Sequence, residues 1–303
     1  MPKILITGIT GFIGSKISEK LCQHGIQVIG LKREKSDTWR CNDFFEKVDW
    51  VNLDIENKWK NIIILKKPDI IIHAAWIGVE ADARDDFNQQ SKNINFLVDL
   101  LDISKSIKLK KFIFLGSQAE YGVITGRISE TAPTEALNAY GATKLAALEI
   151  LKVFCKRNNI GWIWLRVFSL FGEKESPNWL IPAIIRNLKE VSEMDFTLGE
   201  QAYAYLYIED FSNILYQITI KNVESGIYNV SSNEVHKLRT LIEKIRDIVN
   251  NKAVLNFGVI PYRENQSMHI EGDISKLIKQ IGEIHFTNFN VALQQTINYC
   301  NNI

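Results

Sequence analysis

Five short apolar runs punctuate the first part of the chain: KILIT (3–7), IQVIGL (26–31), VDWVNL (48–53), DIIIHAA (69–75) and KFIFLG (111–116). Most are dominated by Ile, Val, Leu and Phe, with little of the polar alternation of a half-exposed strand. Such runs fit strands buried on both faces. Helical stretches fall between them, the clearest over about 93–107, and a long one follows over about 139–156. A sixth run, GWIWLRVFSLFG (161–172), comes next. Apolar strands alternating with helices predict an α/β fold: a Rossmann-type, doubly wound parallel sheet.

Beyond Gly172 the pattern changes. Pro177 and Pro182 flank a short segment, and a helix is expected over 183–188. YAYLYIEDF (203–211) reads as a strand returning to a helix start, with Asp210 placed to cap it. From about Ser231 the tail mixes short helices and strands. The expected division is a dinucleotide-binding domain over 1–172, with a return segment near 205–230. A smaller mixed α/β C-terminal substrate lobe takes 173–204 and 231–303.

Composition narrows the functions. Of 303 residues, 46% are apolar and 23% charged, and the net charge of +1 supplies no field for nucleic acid or an anionic membrane. Cys22, Cys41, Cys155 and Cys300 are far apart, and with five scattered histidines they give no zinc spacing. Unpaired cysteines point to a reducing cytoplasm. No stretch reaches the roughly 20 apolar residues of a membrane helix.

Gly8, Gly11 and Gly14 follow the first strand at GxxGxxG spacing and open a helix near Phe12 and Ile13. Glycine permits the tight turn and a close approach to a pyrophosphate, and the helix N-terminus offers free N–H groups. The second strand ends Leu31-Lys32-Arg33, with Ser36 beyond. An NAD-selecting carboxylate would be expected there, so this end favours NADP(H), with Arg33 gripping the 2′-phosphate. Glu34 keeps NAD(H) as the alternative. Asp54, followed by Ile55, can accept from an adenine amino group or cap a helix. Ala74 and Ala75 leave room beside a dinucleotide, and His73 reads as a packed core histidine.

Tyr140 and Lys144, in YGATK, share one helix face four residues apart. A nearby ammonium favours the phenolate and makes the tyrosine a better proton carrier. Ser117 ends the fifth strand, on the side where such sheets bind ligands.

Together TGITGFIG, IIHAAW, FLGSQAEYG, YGATK and LYIEDF resemble, in order and spacing, the extended short-chain dehydrogenase/reductases, the NAD-dependent epimerase/dehydratase family. The resemblance covers nearly the whole chain. It implies Ser117, Tyr140 and Lys144 as the catalytic set: Ser117 binding a substrate oxygen, Tyr140 exchanging its proton, Lys144 partnering the phenol and holding the nicotinamide ribose. It implies a nucleotide-sugar substrate and a homodimer through the helices near 93–107 and 139–156. In the second helix Leu145, Leu148 and Leu151 lie on one side, and Ala146, Ile150, Val153 and Phe154 widen the apolar surface. GSQAEYG, RISET and LGEQ resemble reductases of nucleotide-linked 4-keto-6-deoxy sugars, of the CDP-abequose synthase and dTDP-fucose-forming types, which serve surface glycan (lipopolysaccharide) synthesis.

Departures from the family pattern are also informative. The family's diphosphate-binding Arg falls at Tyr203, leaving Arg263 for that role. Ser169 stands where the family has a substrate-side Asn, and Trp76 and Gln118 adjoin the expected sugar site. The aligned stretches lack the Cys and His of 3,5-epimerising reductases. Gln118-Ala119-Glu120 replaces the acid pair expected of a 4,6-dehydratase. The resemblance implies a 4-keto reductase. The alternatives are a 4-epimerase that retains its cofactor and, in another class, a non-catalytic dinucleotide-binding regulator.

Overall fold

The computed structural model describes residues 2–55 and 58–301. Seven strands make one parallel sheet: β1 (Lys3–Thr7), β2 (Gln27–Lys32), β3 (Val48–Asn52), β4 (Ile70–His73), β5 (Lys111–Ser117), β6 (Gly161–Val167) and β7 (Gly226–Val230). Their spatial order is β7–β6–β5–β4–β1–β2–β3, so the winding reverses between β1 and β4. In open α/β sheets that reversal opens a crevice at the carboxyl ends of the strands.

Unbroken apolar strands are required because both faces are covered. Side chains alternate across a strand. Ile4, Ile6, Ile113 and Leu115 join a core with Ile17 and Leu21 of α1 (Phe12–Gln23), while Leu5, Phe112 and Phe114 join a second core on the other face. That second core is closed by Trp59 and Ile63 of α2 (Lys58–Lys66), Leu97 and Leu100 of α3 (Phe87–Ile107), and Leu148 and Leu151 of α4 (Ala139–Asn158).

Helix α3 starts six residues before the apolar pattern suggests. Asp86 caps it, accepting from the Gln89 N–H at 3.0 Å. The buried residues of its first two turns, Gln90 and Asn93, are polar amides rather than aliphatics. Helix α4 begins where expected, with Asn138 accepting from the Gly141 N–H at 2.9 Å. On its outer side Ala146 and Val153 are exposed, Leu145, Ile150 and Phe154 half-buried, and Val98 of α3 is exposed too.

In the second lobe α5 (Leu180–Glu190) is longer than expected; Pro182 falls within its first turn, where its missing N–H costs nothing. The return segment supplies Leu206–Tyr207 and then α6 (Ile208–Ile220), whose Phe211 and Leu215 lie in the same core as α1. Asp210 does not cap α6. It lies inside the first turn and accepts from the N–H (2.9 Å) and hydroxyl (2.8 Å) of Thr287, which tethers the approach to α9. Helices α7 (Leu238–Val249) and α9 (Phe289–Asn301) pack with α5, and α8 (Ser275–Ile281) lies against β7.

A small sheet in this lobe runs in the order His236–Lys237, Ala202–Tyr203, His269–Gly272, Arg127–Ile128. Its last strand comes from the loop between β5 and α4 (Glu271 beside Arg127, Gly272 beside Ile128), so residues 1–172 reach into the second lobe at this point.

Candidate active site

The glycine loop sits at the reversal of the sheet. Gly8 has φ +70°, and a Cβ there would come within 2.6 Å of the Ala75 nitrogen. A Cβ on Gly14 would meet the Gly8 carbonyl at 2.1 Å, so the turn and the first turn of α1 touch backbone to backbone. Gly11, the N-cap, has no side chain to occupy the first N–H groups of α1, and no acidic residue lies in the first turn. Phe12 and Ile13, half-buried, begin the helix. This cradle fits a dinucleotide pyrophosphate.

Across the crevice, the Ala74 N–H donates to the Thr7 carbonyl (3.2 Å) and the Ala75 N–H to the Thr7 hydroxyl (3.3 Å). His73 is fully enclosed beneath them. Its Nδ1 shares a 2.7 Å hydrogen bond with the Thr7 hydroxyl, and Phe114 meets its ring edge-on. Burial, aided by Lys144, drives its pKa down to about 3, so it is a neutral packing group.

At the adenosine end, Arg33 is exposed on a tight turn in which its N–H donates to the Ser36 hydroxyl and its carbonyl accepts from the Ser36 N–H, each at 3.1 Å. Asp54 accepts from the Glu34 N–H at 2.8 Å and so ties the end of β3 to this turn; Ile55 beside it is exposed.

Ser117, Tyr140 and Lys144 come together at the end of β5. The Ser117 hydroxyl accepts from the Ala119 N–H (3.1 Å), and the Ser117 N–H donates to Glu120 (2.8 Å), a capping box that fixes the turn after the strand. Glu120 is completely buried and turned away from the crevice. It accepts from the Trp164 indole (2.9 Å) and pairs with Arg166 at 2.8 Å, the two side chains 0% and 3% exposed. Lys144 donates to the Leu115 carbonyl (2.7 Å) and lies 3.7 Å from the centre of the Trp76 ring. Burial lowers its pKa to about 7, against the opposing pull of Glu120.

Burial raises the Tyr140 pKa. The Ser117 hydroxyl and then the Arg84 guanidinium act the other way. The arginine's central carbon is 5.2 Å from the centre of the Tyr140 ring, and the Lys144 ammonium is 5.7 Å away. Sequence reasoning passed over Arg84 because it lies in a polar loop whose path depends on distant contacts.

A cavity of about 260 Å³ opens beside Ser117, lined by Arg84, Gln118, Gly122, Ile124, Arg263 and Gln266 among others. The side-chain amide oxygen of Gln118 is buried without a protein partner, and a substrate hydroxyl can donate to it. Tyr203 is occupied elsewhere, donating to the Ser267 carbonyl at 3.0 Å and accepting from Gln266. Trp76 stands beside Tyr140 rather than in the cavity lining, and its indole donates to Gln90 at 2.9 Å. Ser169 is also outside that lining; its carbonyl accepts from the Leu206 N–H at 2.8 Å.

Comparison with known proteins assigns the chain to a family. The profile of the NAD dependent epimerase/dehydratase family matches residues 4–231, and the chain belongs to that family. It is 25% identical over 290 residues to the CDP-abequose synthase of Salmonella muenchen, covering 91% of each chain. It is 25% identical over 274 residues to the dTDP-6-deoxy-L-talose 4-dehydrogenase (NAD(+)) of Aggregatibacter actinomycetemcomitans, covering 89% of this chain and 98% of that one. The structure of UDP-glucuronic acid 4-epimerase from Bacillus cereus, in complex with UDP-glucuronic acid and NAD, superposes with a TM-score of 0.86 over 99% of both chains at 25% identity. The protein is an enzyme, a nicotinamide-dinucleotide-dependent oxidoreductase of the extended short-chain type. Among the described residues no helix is long and apolar enough to cross a membrane.

Proposed function

We propose that the enzyme is an NADPH-dependent reductase of the 4-keto group of a nucleotide-linked 4-keto-6-deoxyhexose, serving surface glycan synthesis. The observation that carries this reading is the meeting of Ser117, Tyr140 and Lys144 beside a cavity with Gln118 at one side and Arg263 at another. Ser117 holds the C4 oxygen, Tyr140 gives it a proton, and Arg263 takes the diphosphate. Bound NADPH supplies the hydride to C4. The glycine loop, Phe12 and Ile13 hold the pyrophosphate, Asp54 and Ile55 flank the adenine, Ala74 and Ala75 flank the dinucleotide, and Lys144 holds the ribose. Gln118 lies on the sugar side, whereas Trp76 and Ser169, outside the cavity lining, take no part in it. Glu120, the carboxylate nearest Ser117 in sequence, is bound to Arg166 and turned inward, which supports reduction over dehydration.

The test mixes enzyme, NADPH and a 4-keto-6-deoxy sugar nucleotide and follows absorbance and product mass. A product two hydrogens heavier, with stoichiometric NADPH loss, is expected. Interconversion of a non-keto sugar nucleotide with its 4-epimer, without net NADPH loss, sinks the reading in favour of the epimerase.

NADP(H) preference rests on Lys32 and Arg33 at the end of β2, with Arg33 exposed and free to reach a 2′-phosphate. Arg33→Ala is expected to raise KM for NADPH much more than for NADH. Equal effects on both cofactors remove Arg33 from the phosphate site.

The dimer is proposed from the apolar outer sides of α3 and α4, where Val98 and Val153 are 43% and 52% exposed. Light scattering is expected to give twice the chain mass at micromolar concentration; a monomer there overturns it. The working division stays at residues 1–172 with 205–230 for the dinucleotide, and 173–204 with 231–303 for the substrate.

A further inference from the structure

The loop between β4 and α3 is folded around two buried amides. Gln90, wholly enclosed, accepts from the Trp76 indole (2.9 Å) and donates to the carbonyls of Gly78 (2.8 Å) and Ala83 (3.3 Å). Asn93, 4% exposed, accepts from the Ile77 N–H (2.8 Å) and donates to its carbonyl (3.1 Å). The end of the loop then docks on the start of α4. The Arg84 carbonyl accepts from the Tyr140 N–H (2.8 Å), and Asp85 accepts from the Ala139 N–H (3.1 Å). Arg84 is therefore fixed to the same turn of helix that carries Tyr140. Its Nε donates to the Val79 carbonyl (3.0 Å), which aims the guanidinium plane over the phenol ring. Arg84 also lines the cavity beside Ser117, and no carboxylate of the described residues pairs with its guanidinium.

We infer that Arg84 is a positioning residue of the proton-transfer site, the cation that holds Tyr140 poised to exchange its proton with the substrate oxygen. This rests on the proposed role of Tyr140. The charged and titratable groups around the phenol divide clearly. Ser117 reaches it from β5, and Glu120 lies behind that strand end and opposes ionisation. Asp85 is engaged by the Ala139 N–H. Lys144 comes from α4, but its ammonium is held by the Leu115 carbonyl and the Trp76 ring. After the Ser117 hydroxyl, the next influence favouring the ionised phenol is Arg84. A cation this close favours phenolate over phenol by about tenfold or more, one pH unit or more in its midpoint.

The test reads the phenol directly and needs no turnover. The full chain is labelled with 13Cζ-tyrosine and saturated with NADP+, and the Tyr140 resonance is assigned by its loss in Tyr140→Phe. Arg84→Gln, neutral and still able to hydrogen-bond the loop, is expected to hold about tenfold less tyrosinate at residue 140 at a given alkaline pH. Arg84→Lys is expected to recover most of it. A resonance that titrates identically in the parent and Arg84→Gln overturns the inference. So does a parent whose tyrosinate at residue 140 first appears at a higher pH than in Arg84→Gln. If the reductase assay fails while the Arg84 effect appears, the substrate reading falls and this inference stands.

Discussion

Replacing Tyr140 with phenylalanine is expected to lower kcat by about 10²–10⁴-fold, the usual worth of a general acid. The phenol is 8% exposed and packed between the Arg84 loop and the end of β5, so the lost hydroxyl leaves the fold and the glycine cradle intact. Cofactor affinity, followed by quenching of tryptophan fluorescence, should therefore hold while turnover collapses. Burial keeps the Tyr140 pKa above its ordinary value, so the group remains a protonated donor through neutral pH. Ser117→Ala is expected to cost less, because the phenol still meets the oxygen. Turnover of Tyr140→Phe within tenfold of the parent would show that the proton comes from another group.

The second large effect is on stability. Glu120→Ala is expected to destabilise the chain by about 3–5 kcal/mol, the cost of leaving one partner of a buried ion pair unmatched. Arg166 would lose its carboxylate, and the Ser117 N–H and the Trp164 indole would lose their acceptor. Urea unfolding of the parent and variant measures the difference. The double change Glu120→Ala with Arg166→Met should be less damaging than Glu120→Ala alone, because it removes the orphaned charge. A loss below about 1 kcal/mol for the single change contradicts this account, since it would place the pair in the range of exposed salt bridges.

How much of this was legible from sequence depends on how local the cause is. The strands were readable because a sheet covered on both faces demands unbroken apolar runs, and KILIT and KFIFLG supply them. The glycine loop was readable because its glycines follow a strand and open a helix. The start of α3 was not, because Gln90 and Asn93 occupy its inner face for the sake of a loop. A buried amide carries no apolar periodicity. Asp210 looked like a cap because capping is a local habit, whereas its partner, Thr287, is 77 residues away. Arg84 escaped, and so did the pairing of Glu120 with Arg166, for the same reason: each acts through groups that only the folded chain brings near.

The strand Arg127–Ile128 lends its edge to the small sheet of the second lobe, and it begins ten residues after Ser117, the end of β5. The two lobes are therefore not separable cassettes. Recombination between relatives that exchanged only the C-terminal segment would pair a foreign His269–Gly272 with the resident strand and disturb the turn that presents Ser117. Any graft that transplants sugar choice has to carry residues 122–131 along with the tail.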